Sequence, residues 1–274
     1  MDLATDWITH DSGQGPVPAY RAKPAMVTEP LPAVLVIQEA WGVDEHIQDV
    51  TRRVATSGYL ALAPDLYAAG GERPDAVRPE RVRAVKEFLN SLPPTALGDQ
   101  RARQEALDRL PEQERSRVTE SLAAVFAGSG RAEAFVSLLQ AAVGHLRADA
   151  DAAGRRVGSV GFCMGGGLSA LLACSDPELS AAAVFYGMPP SEERLQALAC
   201  PLLGFYGEAD HRVTDTVPAT AKAVAEAGGS YEYHVYPGAP HAFFNDTRPS
   251  YRVEAARDSW ARLLGFFARY LTPA

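Results

Sequence analysis

The fold of this chain is decided by the stretch Gly161-Phe162-Cys163-Met164-Gly165-Gly166-Gly167. A short β-branched run precedes it at residues 156–160 and an apolar run follows at residues 168–173, so the pattern predicts strand, tight turn and helix. A reactive side chain at such a turn has a strained backbone, and glycines on both sides let strand and helix pass close together. A helix N-terminus also favours thiolate over thiol. On these residues alone, Cys163 is either a nucleophile or a buried structural cysteine.

The composition of the 274-residue chain limits the number of domains and the kinds of partner that we expect. With 47% hydrophobic residues it can build the core of one α/β domain, and we expect a single domain over residues 1–274 with a helical insertion at about 93–130. The formal net charge of −8, without any block rich in Lys and Arg, argues against nucleic acid as a partner.

The cysteines and the N-terminus bear on the cellular compartment. Three cysteines without framework spacing make a disulfide-stapled secreted fold unexpected and favour a reducing interior. The acidic N-terminus lacks a signal-peptide pattern, and no apolar run of about 18 residues follows. We therefore expect a soluble cytoplasmic protein without a membrane partner.

The hydrophobic pattern before and after the cysteine predicts a mostly parallel, doubly wound sheet with helices on both faces. The continuous apolar run at 33–37 suits a strand covered on both faces, and Asp44 caps a helix that stops at Gly58. Such βαβ repetition gathers ligands at the carboxyl ends of the strands. Further elements are predicted as a strand pair within 6–22, strands at 59–63, 181–186, 201–206 and 231–236, and a last helix at about 251–271 with Val253 on its buried face.

Arg155 lies 91 residues after Pro64, whereas a whole βαβ unit needs about 30 residues. Helices are predicted in this segment at about 79–91, 99–110, 112–127 and 131–148, with a break at Pro93 and Pro94. Only the first and last of these helices need pack on the sheet. The polar middle pair is either a cap over the site or a solvated insertion on its flank, and its composition favours the insertion.

Two residues further along the chain supply partners for Cys163. A cysteine nucleophile needs a base, and the base needs an acid that orients it. Asp210 follows the predicted strand 201–206, and His241 follows the strand 231–236. The order nucleophile, acid, histidine is that of the α/β-hydrolase triad. Singly, Asp210 reads as a turn cap and His241 as a surface histidine, but together with the cysteine turn they predict a Cys-His-Asp triad.

The remaining five histidines show no metal-ligand spacing, so we expect neither a metal nor a cofactor.

Five motifs together resemble the dienelactone hydrolase family of α/β-hydrolases, over residues from about 30 to 271. They are Gln38-Glu39-Ala40-Trp41-Gly42, Pro64-Asp65-Leu66-Tyr67, Gly161-Phe162-Cys163-Met164-Gly165-Gly166, Gly207-Glu208-Ala209-Asp210 and Pro240-His241-Ala242-Phe243. The resemblance implies hydrolysis of a small-molecule ester or lactone, with carboxymethylenebutenolidase as the type activity. It implies a thioester on Cys163 and a triad completed by His241 and Asp210.

The resemblance also implies a role for Glu39, which in this family contacts the resting thiol and controls when it becomes thiolate. A carboxylate beside a thiol disfavours a second negative charge, so the resting thiol would stay neutral until substrate moves these groups. We expect the oxyanion hole to consist of the backbone N–H groups of Ala40 and Met164. Without the resemblance, Glu39 is equally a solvated loop carboxylate.

One position departs from the family pattern. Members that cleave dienelactones resemble one another in carrying an arginine four residues after the histidine, where this chain has Asn245. The nearest arginine is Arg248. The candidates for a second substrate-binding arginine are Arg78, Arg81 and Arg83.

Two alternative functions follow. One is a broad carboxylesterase for neutral esters, which Asn245 favours. The other is a non-catalytic thiol redox or ligand sensor that uses Cys163, with Cys174 and Cys200 as resolving partners.

Overall fold

The computed structural model describes residues 2–92 and 100–272, of which 128 and 129 are described by their backbone alone. The strands are β1 (Leu3–Asp11), β2 (Pro16–Pro24), β3 (Ala33–Ile37), β4 (Leu60–Pro64), β5 (Val157–Phe162), β6 (Ala181–Phe185), β7 (Leu202–Gly207) and β8 (Tyr231–Tyr236). The α-helices are α1 (Glu45–Thr56), α2 (Pro79–Ser91), α3 (Gln100–Leu107), α4 (Glu112–Phe126), α5 (Ala132–Ala148), α6 (Met164–Ala173), α7 (Glu192–Leu195), α8 (His211–Thr214), α9 (Val217–Glu226) and α10 (Val253–Leu271). The predicted break at Pro93 and Pro94 lies outside the described residues.

The eight strands form one sheet in the order β1-β2-β4-β3-β5-β6-β7-β8. The six strands from β4 to β8 in this order are parallel, and β1 and β2 add an antiparallel pair at one edge. Every residue of β3 to β7 is buried, whereas β8 alternates between half-buried and exposed residues at the other edge. The prediction of a mostly parallel sheet with helices on both faces is confirmed.

Successive side chains of a strand point to opposite faces of the sheet, so apolar residues of the strands form a core on each face. Val34 and Val36 of β3 belong to one apolar cluster with α1 and α10, while α5 and α6 pack on the sheet from its other face. Helix α1 begins where predicted, because the Asp44 carboxylate accepts a hydrogen bond from the Ile47 N–H at 3.2 Å. The placement of Val253 on the docked face of α10 was wrong: it is the first residue of the helix and its side chain is exposed.

The chain divides into two compact units, one of Met1–Gly71 with Ala132–Ala274 and one of Glu72–Arg131. The first contains the whole sheet. In the second, α2 packs against α4. Of the two helices expected on the sheet, α5 packs there, on β3, β4 and β5.

Arg81, one of the candidate substrate-binding arginines, is buried inside the second unit. Its guanidinium donates to the Ser121 hydroxyl at 2.9 Å and to the Arg117 carbonyl at 3.0 Å, and it forms ion pairs with Asp75 at 2.9 Å and Glu120 at 2.6 Å. A guanidinium with four such partners is committed to holding α2 and α4 together, which removes Arg81 from the substrate-binding candidates.

Among the helices of residues 2–92 and 100–272, none is long and apolar enough to cross a membrane.

Candidate active site

The turn between β5 and α6 carries Cys163 in a strained conformation. The residue has φ 54° and ψ −114°, a region that residues other than glycine rarely occupy. Such a backbone conformation costs about 1–3 kcal/mol. A Cβ on Gly161 would lie 1.8 Å from the Gly165 carbonyl oxygen, and one on Gly165 would lie 2.4 Å from the Gln38 carbonyl oxygen. Neither glycine can therefore carry a side chain. Because Gly165 has no Cβ, the cysteine turn can lie directly against the loop after β3.

Cys163, His241 and Asp210 lie together at the carboxyl ends of β5, β8 and β7. The His241 Nε2 is 3.2 Å from the Cys163 Sγ, and its Nδ1 is 2.5 Å from the Asp210 Oδ2. These contacts connect the thiol through the imidazole to the carboxylate, in the order that the sequence predicts. Asp210 is nearly buried, so its bond to the imidazole is shielded from water.

The protonation of His241 follows from its two partners. Burial by itself lowers the pKa of the imidazole, but hydrogen bonds to Asp210 and Cys163 and the charges of both groups raise it to about 10. At neutral pH the imidazole therefore holds a proton next to the sulfur, as a thiolate–imidazolium pair requires.

Glu39 lies beside this group but is held by other residues. It is 1% exposed, and its two carboxylate oxygens accept hydrogen bonds from the Tyr186 hydroxyl at 3.1 Å and from the Asn245 Nδ2 at 2.8 Å. The expected contact between Glu39 and the resting thiol is not seen: within the described part of the chain, no hydrogen bond joins them, and the sulfur is bonded to His241.

Tyr186 is a site residue that sequence reasoning missed. It is fully buried with φ 42°, its ring packs edge-on against the His241 ring at 5.1 Å, and its hydroxyl donates to Glu39. Burial, followed by the negative charges of Glu39 and Cys163, raises its pKa well above the ordinary value, so the hydroxyl keeps the proton that it donates. The sequence signal that could have identified Tyr186 is a residue with a hydroxyl directly after β6, the strand next to the one that precedes the cysteine.

Asn245 does not occupy the substrate-facing position that its place in the sequence suggests. It is fully buried, and besides donating to Glu39 it accepts hydrogen bonds from the Thr247 N–H at 3.0 Å and the Thr247 hydroxyl at 2.7 Å. Three residues on, the Arg248 guanidinium lies over the Trp41 ring at 5.4 Å, and its positive charge acts to lower the pKa of Tyr186. Arg248 thus brings a cation to the same end of the sheet.

The two expected oxyanion donors have matching positions on neighbouring strands. Ile37 of β3 pairs with Gly161 of β5, and Ala40 and Met164 each follow three residues beyond that pair. In the chain as described, the Ala40 N–H has no hydrogen-bond partner, and the Met164 N–H is a first-turn donor without one. Neither N–H is thus engaged by another group among the described residues.

Among the described side chains, no three His, Cys, Asp or Glu residues are grouped closely enough to bind a metal ion. His211, adjacent to Asp210 in sequence, is exposed and pairs with Asp215 at 3.4 Å.

Comparison with known proteins shows the family to which this chain belongs. The model of the dienelactone hydrolase family matches residues 17–271, from β2 through the end of α10. The chain belongs to the dienelactone hydrolase family. The match includes the loop of Glu39 and Ala40, the turn of Cys163, and both Asp210 and His241.

Individual members of the dienelactone hydrolase family are similar along nearly the whole chain. A Saccharolobus solfataricus protein, provisionally named carboxymethylenebutenolidase, is 34% identical over 96% of this chain and 97% of its own length. An Escherichia coli protein of the same provisional name is 32% identical over 93% of this chain and 83% of its own. The crystal structure of a provisionally named dienelactone hydrolase from Klebsiella pneumoniae superposes with a TM-score of 0.68 at 31% identity, covering 98% of this chain and 100% of that one. The protein is accordingly a hydrolase with the α/β-hydrolase fold.

Proposed function

We propose that this hydrolase cleaves an ester or lactone through a thioester on Cys163, with His241 as proton carrier and Asp210 as the group that orients it. The observation that carries the proposal is the continuous contact from the Cys163 Sγ through the imidazole to the Asp210 carboxylate, at 3.2 and 2.5 Å. The names of the relatives, carboxymethylenebutenolidase and dienelactone hydrolase, support an ester or lactone as substrate. Turnover of a chromogenic acetate ester that iodoacetamide abolishes is the direct test.

The first half of the reaction makes the acyl-enzyme. The thiolate of Cys163 attacks the substrate carbonyl carbon, and the carbonyl electron pair moves to the oxygen. The resulting oxyanion accepts hydrogen bonds from the N–H groups of Ala40 and Met164, which are fixed before the reaction. When the intermediate collapses, the leaving alkoxide takes the proton from the His241 Nε2.

The second half restores the enzyme. Neutral His241 takes a proton from water, and the hydroxide adds to the thioester carbonyl carbon. Collapse of this second intermediate releases the acid and returns the thiolate beside the imidazolium. Asp210 holds the imidazole in place throughout and stabilises its positive charge.

Glu39 is proposed to act on the charge of the thiol from a short distance without a hydrogen bond to it. Support comes from Tyr186, whose pKa is raised both by Glu39 and by Cys163, so the charges of both reach one hydroxyl. A negative charge near the sulfur makes the thiolate less favourable.

Glu39→Gln should therefore speed alkylation of Cys163 by iodoacetamide at pH 7 by about 3- to 10-fold, which corresponds to a charge–charge interaction of roughly 1 kcal/mol. The rate is read from mass spectra of the intact protein. Glu45→Gln, which changes an exposed carboxylate at the start of α1, is the control and should alkylate like the wild type. An unchanged rate in Glu39→Gln would leave this carboxylate with a purely structural role.

The sensor alternative is disfavoured by the positions of the other cysteines. Cys163 and Cys174 cap opposite ends of α6, about 16 Å apart at 1.5 Å per residue, whereas a disulfide needs Cα atoms within about 7 Å. Cys200 lies at the far end too, because the Ala199 N–H donates to the Ala173 carbonyl at 3.0 Å. Burial raises the pKa of Cys174 to about 11 and that of Cys200 to about 12, so both thiols stay protonated. Neither residue can resolve an oxidised Cys163 in this fold.

The charge of the substrate distinguishes the remaining alternatives. Because Asn245 is committed to Glu39, its identity gives no support to neutral esters, while the Arg248 guanidinium over Trp41, next to Ala40, favours a substrate with a carboxylate.

The wild type should therefore prefer an anionic ester over a neutral ester of equal leaving group, and Arg248→Gln should lower kcat/KM for the anionic ester by about 10-fold while leaving the neutral one nearly unchanged. Steady-state kinetics on the two esters provide the measurement. Arg257→Gln, an exposed change on α10, serves as the control. Equal losses on both esters, or a neutral preference in the wild type, would restore the broad carboxylesterase.

A further inference from the structure

The motif Pro64-Asp65-Leu66-Tyr67 lies at the end of β4 and contributes no residue to the triad. Its last three residues are nonetheless buried, with Tyr67 only 2% exposed. The Asp65 carboxylate accepts a hydrogen bond from the Tyr67 N–H at 3.1 Å, which fixes the turn, and the Tyr67 ring packs edge-on against Phe135 of α5 at 6.1 Å. A tyrosine that is held this firmly presents its hydroxyl in one direction.

Two buried hydrogen bonds cross from this motif to the loop after β3. The Leu66 N–H donates to the Gln38 Oε1 at 3.1 Å, and the Tyr67 hydroxyl donates to the Ala40 carbonyl at 3.0 Å. The intervening Glu39 is bonded on both carboxylate oxygens, by Tyr186 and Asn245. Gln38 and Ala40 are thus both tied to the motif at the end of β4, and Glu39 between them is tied to Tyr186 and Asn245.

We propose that Tyr67 is a positioning residue for the oxyanion hole. The inference rests on the proposed function, in which the Ala40 N–H receives the charge that develops on the substrate oxygen. The hydrogen bond to the Ala40 carbonyl holds the Ala40 Cα in place, and the backbone nitrogen bonded to that Cα is held with it. Inside the loop, the nearest alternative support is a Gly42 N–H to Glu39 carbonyl bond at 3.4 Å, which is long for this type.

Removal of the hydroxyl leaves the buried Ala40 carbonyl without this donor. A buried carbonyl without a donor is unfavourable, so the loop at Ala40 would shift towards another donor and carry the Ala40 N–H away from the reacting oxygen. The thiol and His241 are bonded to groups on other strands and should be unaffected.

The experiment compares wild type with Tyr67→Phe, which keeps the ring. We expect kcat for a chromogenic ester to fall about 10-fold, less than the 100- to 1,000-fold typical when a donor of an oxyanion hole is removed outright, with KM within about twofold. The rate of Cys163 alkylation by iodoacetamide should stay at the wild-type value. Tyr231→Phe is the matched control, since it removes a tyrosine hydrogen bond of 2.7 Å to Tyr206, between the edge strand β8 and its neighbour β7.

A trifluoromethyl ketone separates positioning from general damage. The Cys163 thiolate adds reversibly to the ketone carbon and the carbonyl electrons become an oxyanion, without any leaving group, so its affinity reports on the oxyanion hole directly. Its inhibition constant should rise in Tyr67→Phe by about the factor lost in kcat. Gln38→Met, which removes the second bond to the motif, should act in the same direction and provides the test if Tyr67→Phe folds poorly.

Equal ketone affinity in wild type and Tyr67→Phe, or a parallel loss of the alkylation rate, would overturn the role of Tyr67. The absence of wild-type turnover on every ester and lactone, with normal ketone binding, would overturn the proposed function instead.

Discussion

Replacing Cys163 with alanine should lower kcat for ester hydrolysis by at least about 1,000-fold, because in the proposed reaction the thiol supplies the covalent step, and removal of a triad nucleophile typically costs several orders of magnitude. The fold should persist, since alanine fits the half-exposed position and the flanking glycines, which make the close contacts, are unchanged. The measurement is the hydrolysis rate of purified variant, alongside its circular dichroism and melting temperature.

Cys174→Ala is the matched control for this change, because it removes a thiol from the opposite end of α6 and should hydrolyse the ester at the wild-type rate. Cys163→Ser should fold but turn over slowly, since a hydroxyl is much harder to ionise than a thiol. A Cys163→Ala protein with near wild-type turnover would show that another residue is the nucleophile.

Replacing His241 with alanine should reduce kcat by a similar factor, because no other described group lies in the contact chain between the Cys163 thiol and Asp210. It should also slow alkylation of Cys163 at pH 6, since the sulfur then loses the neighbouring imidazolium charge that favours its thiolate form. Asp210→Asn offers a milder change, which keeps the imidazole but removes a charge that raises its pKa.

The pKa of His241 also predicts how kcat/KM of the wild type depends on pH. Because the pKa of His241 is raised to about 10, the imidazole keeps its proton at neutral pH and loses it as the pH rises through about 10. Since that proton goes to the leaving group, kcat/KM should fall above about pH 10, after correction for spontaneous alkaline hydrolysis. In Asp210→Asn the fall should begin at lower pH. An alkaline limb at the same pH in both proteins would contradict the assignment of His241.

The sheet and the triad geometry could be predicted from the sequence because both are encoded locally. Most of the buried strands are continuous apolar runs. Cys163, Asp210 and His241 follow β5, β7 and β8, and the parallel pairing of these strands brings all three residues to one edge. The helices of the second unit were located for the same reason, from the periodicity and the helix breakers.

The surroundings of Glu39 could not be predicted, because they depend on the direction of side chains that come from separate strands. Asn245 can be found in the sequence because it lies four residues after His241. The sequence does not show that its amide points inward and donates to Glu39. Likewise nothing around Tyr186 or Tyr67 in sequence indicates which carbonyl or carboxylate the hydroxyl meets. The burial of Arg81 has the same origin, since three of its four partners lie on α4, about 40 residues along the chain.

The register between β3 and β5 also restricts how the length of this chain can change during evolution. Ile37 and Gly161 are paired, so one residue gained or lost between 33 and 40, or between 157 and 164, would displace Ala40 or Met164 relative to the other by a strand step of about 3.3 Å. An oxyanion hole cannot absorb a shift of that size. Beyond Gly71 the chain enters a compact unit of its own and returns to the sheet at α5, so insertions and deletions among relatives should accumulate there and not in the two short segments that supply the donors.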